Sequence, residues 1–347
     1  MNGAQALIRT LADAGVDTCF ANPGTSEMHF VAALDSVGEM RSVLGLFEGV
    51  VTGAADGYAR MADRPAATLL HLGSGLGNGL ANLHNARRAY SPMINIVGDH
   101  ATYHARYDAP LQSDIDTVAR NCSTWIARPK TAGAVARAGA EAVLAASTPP
   151  GGVATLVLPA DASWGEGAEP AAPLPIPSAR PIDDTIVDQV AKTLTSGERT
   201  VVLVGGSGHR DAGLRASNRL ITATGATVLG ETFPARLQRG AGVPALDRLQ
   251  YLASSPPASS RGHATSFWPV PSRRPRSSPT PTRPATSCPP GARCTCSLNP
   301  DRTRWRHWRR WLIWSPPGPS RCRRPRRGPI GPAAISPPSA WRRPWGH

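Results

Sequence analysis

Residues 46–100 read LFEGVVTGAADGYARMADRPAATLLHLGSGLGNGLANLHNARRAYSPMINIVGDH. EGVVTGAADGYARMA (48–62) has the length of a helix, and AATLLHL (66–72) reads as a strand. GSGLGNGLANLHNARRA (73–89) reads as a glycine loop entering a helix, and MINIVG (93–98) as another strand. Working outward, SVLGLF (42–47) is apolar and strand-like. VDTCFANPGTSE (16–27) is a short strand running into a Pro-Gly turn and a helix start. Ala4, Leu7, Ile8 and Leu11 stand at helical spacing, with Gly15 as the C-cap. Strands alternating with helices predict an α/β fold with a doubly wound parallel sheet.

EGAEPAAPLPIPSARP (166–181) is rich in proline, alanine and glycine and reads as a linker. Beyond it, TVVLVGGSGHRDAGLRASNRLITATGATVLGETF (200–233) reads strand, glycine turn, helix, strand: a Rossmann-like unit. Its GGSG turn lacks the full dinucleotide fingerprint, so it reads as plain structure, with a phosphate site as the alternative. The expected organisation is a first domain over 1–165, a linker over 166–181, a partial central domain over 182–253 and a tail over 254–347.

Charge divides at the same place. The 347 residues carry a formal net charge of +14. Residues 1–253 hold 20 Lys+Arg against 23 Asp+Glu, whereas 254–347 hold 18 arginines, no lysine and one acid, Asp301. The basic surplus that would suggest a polyanion partner thus lies wholly in the tail. No secretory signal and no apolar run of about twenty residues is present, and Cys19 and Cys122 stand alone as reduced thiols do. A cytoplasmic protein with no membrane contact is expected.

Glu48 lies between VLGLF and VV, an apolar setting in which an unpaired carboxylate is costly and burial favours its neutral form. The plain alternative is a first-turn glutamate favoured by the helix dipole. Gly49, Gly53 and Gly57 recur every four residues on one helix face, each costing about 1 kcal/mol against alanine, so something is expected to approach that face closely. His71 ends a strand at the carboxyl edge of the sheet, where ligands gather, although a lone histidine there is more often structural. Asn22, Pro23, Gly24 and Thr25 are by themselves a turn signal.

Taken in order, ANPGTSE, LFEGVVTGAADGYAR and LLHLGSGLGNGLANLHNARRAYSPMINIVGDH resemble the pyrimidine-binding domain of thiamine-diphosphate enzymes. The nearest look is to the acetolactate synthase large subunit-like group and to benzoylformate decarboxylase. The resemblance runs from the start to about residue 253. It implies that Glu48 bonds the aminopyrimidine ring of thiamine diphosphate and relays its proton, and that His71 serves proton transfer. It places Thr25 where benzoylformate decarboxylase has a serine, and Asn22, Pro23, Gly24 and Asn78 with Glu48 around the cofactor. The implied reaction is decarboxylation or carboligation of a 2-keto acid, the chemistry of lyases and transferases, acetolactate formation in branched-chain amino acid biosynthesis among them. The histidine at position 71 departs from typical acetolactate synthases and weighs against that last activity. The family acts as homodimers or homotetramers with active sites between subunits, and some members bind FAD in the central domain. Its magnesium and diphosphate are held by a GDG…N motif that this chain lacks, so no metal ligands are assigned.

The tail reads as out of frame. Read one nucleotide earlier, permitted codons for SSPTPTRPATSCPPGARCTCSLNP (277–300) give FVAYPDAPSDLVPAGCEVHVLAEPG, which continues the family's central domain. Such a shift near 253–258 also explains the excess of arginine, proline and tryptophan. Cys288, Cys294, Cys296 and Cys322 lack paired zinc spacing, and the composition predicts disorder. Three readings follow: a thiamine-diphosphate lyase or carboligase, an inactive truncated fragment of one, and, least favoured, a nucleic-acid binder working through the arginine-rich tail.

Overall fold

A computed structural model describes residues 1–178 and 181–251, together with two short strands further on. The chain opens with α1 (Gly3–Asp13), whose Asn2 and Gln5 close a capping box. Ala4, Leu7, Ile8 and Leu11 are buried as their spacing predicts, and Gly15 takes φ +85° just past the helix end. There follow β1 (Thr18–Asn22), α2 (Met28–Ser36), β2 (Arg41–Leu44), α3 (Glu48–Ala62), β3 (Ala66–Leu70), α4 (Leu72–Ala89) and β4 (Met93–Asp99). The short α5 (Ile115–Ala119), β5 (Trp125–Ala127), α6 (Ala132–Ser147), β6 (Val153–Pro159) and α7 (Ala160–Trp164) complete the first unit.

Its six strands are all parallel, in the order β2-β1-β3-β4-β6-β5. Every residue of β3, β4 and β6 is buried, because helices cover both faces. On one face α1, α2 and α6 pack Leu7, Ile8, Phe30 and Val135 against Leu69, Ile96 and Leu156. On the other, α3, α4 and α5 pack Val51, Leu76, Leu83 and Ile115 against Leu70, Val97 and Val157. Each such side chain contributes about 1.5–3 kcal/mol of burial. The doubly wound α/β expectation is therefore correct.

Two local expectations change. The strand expected over 42–47 ends at Leu44, because Leu44, Leu46 and Phe47 are solvent-exposed and offer no packed face. The glycine loop expected at 73–75 is instead the first turn of α4. A side chain at Gly73 would collide with Ser113, so the small residues serve close packing.

Residues 166–178 form neither helix nor strand and are tied to the first unit at two points. The Ala168 amide donates to the Met1 carbonyl and the Ala171 amide to Thr10 Oγ1. The second unit holds α8 (Asp184–Leu194), β7 (Val201–Val204), α9 (Asp211–Thr224), β8 (Thr227–Gly230) and β9 (Asp247–Arg248). β7, β8 and β9 are parallel, as the Rossmann-like reading expects. Within the expected tail, β10 (Arg293–Thr295) and β11 (Leu312–Ser315) are strands. β11 runs antiparallel to β7 and β10 antiparallel to β11. The rest of that tail, with the disorder expected of it, lies outside the described residues.

The units are joined at the C-terminal end of α3. Arg236 donates to the Arg60 and Met61 carbonyls at 3.0 Å and to Asp63 at 3.2 Å, and Arg210 also pairs with Asp63. Arg60 returns a bond to the Ala235 carbonyl at 3.2 Å. No helix among the described residues is long and apolar enough to cross a membrane.

Candidate functional site

The site lies at the carboxyl edge of the first sheet, where β1 and β3 hand over to α2 and α4. Glu48 is the first residue of α3 and is 9% exposed. Asn78 Nδ2 donates to Glu48 Oε2 at 3.0 Å. Gly75 lies against the other oxygen: a Cβ there would stand 3.0 Å from Oε1. Beneath the acid, Thr52 Oγ1 donates to the Glu48 carbonyl at 2.9 Å and lies 3.1 Å from the Gly79 carbonyl, so α3 and α4 meet without a spacer.

The glycine face of α3 is partly as expected. Asn82 donates to the Gly49 carbonyl at 2.7 Å and would stand 3.0 Å from a Cβ on Gly53. Nothing lies within 4 Å of the Cβ position at Gly57, which instead borders an open cleft of about 450 Å³ with Arg60, Asn85, Arg88 and Phe233. For Gly57 the expected close neighbour is absent among the described residues.

The second group centres on His71, the N-cap of α4. Its Nδ1 lies 2.8 Å from Glu27 Oε2, and the same oxygen accepts the Gly24 amide at 2.8 Å. Glu27 is 2% exposed, and its Oε1 has no hydrogen-bond partner. A Cβ on Gly24 would overlap the His71 ring, and one on Gly98 would overlap Glu27 Oε1. Both glycines are therefore conditions for the pair. Nδ1 of His71 is thereby engaged by Glu27, and Nε2 takes no part in that contact. Leu72, buried beside it, takes φ +53°, a strained conformation for a leucine.

The two groups share the first turn of α4: His71 starts it, the Gly75 amide donates to the His71 carbonyl at 2.8 Å, and Gly75 touches Glu48. The other expected residues divide. Gly24 joins the His71 group and Asn78 the Glu48 group. Asn22 spends its amide on the Gly45 carbonyl at 2.7 Å, tying β1 to the loop before α3. Pro23 is half-buried in the turn, and Thr25 is exposed at the start of a 3-10 turn. Glu27 is the member that sequence reading left without a role. Its only signal was an acid closing ANPGTSE. Among the described residues no group of three or more His, Cys, Asp or Glu could hold a metal ion.

Comparison with known proteins identifies what the chain is similar to. Residues 1–119 match the family described as thiamine pyrophosphate enzyme, N-terminal TPP binding domain. The chain is 62% identical over 254 residues to the Mycobacterium tuberculosis protein IlvX, which carries the name of an acetolactate synthase large subunit; the match covers 73% of this chain and 48% of IlvX. It is 36% identical over 155 residues to benzoylformate decarboxylase of Pseudomonas aeruginosa, covering 44% of this chain and 29% of that protein. Among solved structures, the 4-hydroxybenzoylformate decarboxylase of Rhodococcus jostii superposes with a TM-score of 0.61 at 25% identity, over 67% of this chain and 45% of that one. The chain thus spans about half the length of the relative that it matches over 254 residues.

Proposed function

We propose that this chain, a relative of the thiamine-diphosphate enzymes that carries their N-terminal domain, is the aminopyrimidine-binding part of a 2-keto acid decarboxylase or carboligase. The observation that carries the reading is the buried Glu48 carboxylate, held by Asn78 and left uncovered by Gly75. These residues fit the cofactor's aminopyrimidine: a carboxyl group to exchange a proton with a ring nitrogen, and a glycine-lined approach. When bound, thiamine diphosphate supplies an electron sink for the carbanion left by decarboxylation. Glu48 holds and returns the proton at its Oε atoms, and burial keeps water from competing for it. His71, steered by Glu27, presents Nε2 for a second proton transfer to or from the substrate. Thr25, Asn22 and Pro23 would line the same edge. A cytoplasmic setting and a homodimer or homotetramer with shared sites accord with this reading.

The chain by itself is read as a truncated form. Its charge balance turns at residue 253, and the 62% identity to IlvX extends over 254 residues. A reading frame lost there would remove the diphosphate and magnesium ligands. Calorimetric titration with thiamine diphosphate and Mg²⁺ is expected to show no micromolar affinity, and magnesium-dependent micromolar binding would defeat the truncated reading. The aminopyrimidine site is tested apart from that, by titrating thiamine while following the Gly75 and Asn78 amides by NMR. Both should shift in the native chain and stay still in Glu48→Gln. Equal shifts in the two proteins would remove Glu48 from the site.

A further inference from the structure

The glycine turn of the second unit, Gly205–Gly206–Ser207–Gly208, follows β7 and leads toward α9. In a Rossmann-like unit this is where a diphosphate meets loop N–H groups and the helix N-terminus. The backbone is built for close approach. Gly206 takes φ +55°, and a Cβ on Gly213 of α9 would overlap the Gly208 backbone. A side chain is thus strained at Gly206 by its φ and excluded at Gly213 by the clash. Flavin binding in some relatives makes this turn the natural place to look for a dinucleotide.

The turn is already filled. Glu231 follows β8 directly, and its Oε1 accepts the Gly206 amide at 3.0 Å. Its carboxyl carbon stands 3.5 Å from the Cβ position of Gly205, so the acid lies along the turn. In dinucleotide folds an acid at the end of the second strand accepts ribose hydroxyls and leaves the loop amides to the diphosphate. Here the acid has turned onto the loop itself. Behind it sits His209, fully buried, with Nδ1 at 3.6 Å from Glu231 Oε1 and neither ring nitrogen hydrogen-bonded. Burial depresses the His209 pKa and only the nearby Glu231 opposes it, so near neutral pH the ring brings no positive charge to offset an incoming phosphate. A diphosphate would have to displace the carboxylate from its amide and then lie beside it.

We propose that Glu231 is a built-in plug that occupies the anion position of the glycine turn and closes the second unit to flavin and adenine dinucleotides. The residues present therefore do not fit the flavin found in some relatives. This inference is independent of the reading at Glu48, and its failure leaves that reading untouched.

The test is calorimetric titration of the full chain with ADP and, separately, with FAD. The native protein should show no saturable binding, while Glu231→Ala should bind ADP at least about tenfold more tightly. Glu231 has a side chain 30% exposed, so the fold is expected to survive its removal. Glu231→Gln, which keeps the shape and drops the charge, should fall between the two. Tight binding to the native chain, lost in Glu231→Ala, would make the acid a ribose ligand and overturn the plug. Absence of binding in all three proteins would equally overturn it, since the acid would not then be what closes the turn.

Discussion

β4 and β7 both lie inside sheets, with strands on either side, yet they are held differently. β4 has parallel neighbours on both sides, β3 and β6, and all seven of its residues are buried. β7 has a parallel neighbour only in β8; its other edge is taken by β11, antiparallel and from the far end of the chain. Its burial alternates between full and partial, and α8 leaves Ile186 and Val187 exposed. The first sheet has its complement of helices on both faces, and the Glu48 and His71 groups sit on its carboxyl edge. The second unit has one well-packed βαβ core and a looser surround.

The largest effect that could break this contrast is Gly98→Ala. The added methyl would overlap Glu27 Oε1 inside the first core, at an expected cost of roughly 3 kcal/mol or more. Urea unfolding measures it. A near-neutral result would mean that the rigid unit yields where it is drawn tightest. Next, matched truncations sharpen the comparison directly. Leu69→Ala in β3 should cost about 2–5 kcal/mol, and Leu203→Ala in β7, half-buried, only about 1 kcal/mol. Equal costs would abolish the distinction.

Arg236→Ala is expected to cost roughly 1 kcal/mol, since its partner Asp63 is largely exposed. It should also raise hydrogen exchange at the end of α3 while leaving β4 protected. If exchange in β4 rises equally, the two units unfold as one. The smallest effect is on pH. His209 has a folded pKa below its ordinary 6.5 because of burial, so the unfolded chain binds the proton more readily. Its contribution is complete above about pH 6.5 and is lost as pH falls toward the lower folded value. His209→Leu should flatten that part of the stability profile, and an unchanged slope would assign it to other groups.

The alternation of strands and helices was readable because β3, β4 and α1 carry largely apolar patterns with glycines and prolines close to their ends. Glu48 was readable because an acid between two apolar runs is locally anomalous. Glu27 was not, for its burial depends on Gly98, on another strand, and on Gly24 passing under the His71 ring. Neither relation leaves a trace in neighbouring residues. The apolar run at 42–47 misled for the opposite reason: Leu46 is 90% exposed, so its hydrophobicity reports no core. Gly57 looked like the third member of a packed stripe and instead borders open space.

The fifteen residues of α3 carry Glu48 at one end and the grip of Arg210 and Arg236 at the other. A helix of that length is a rod of about 22 Å. Val51 and Ala55 fix the middle of that rod in the first unit's core, so a single rigid helix joins the anchorage of the second unit to the buried Glu48 carboxyl.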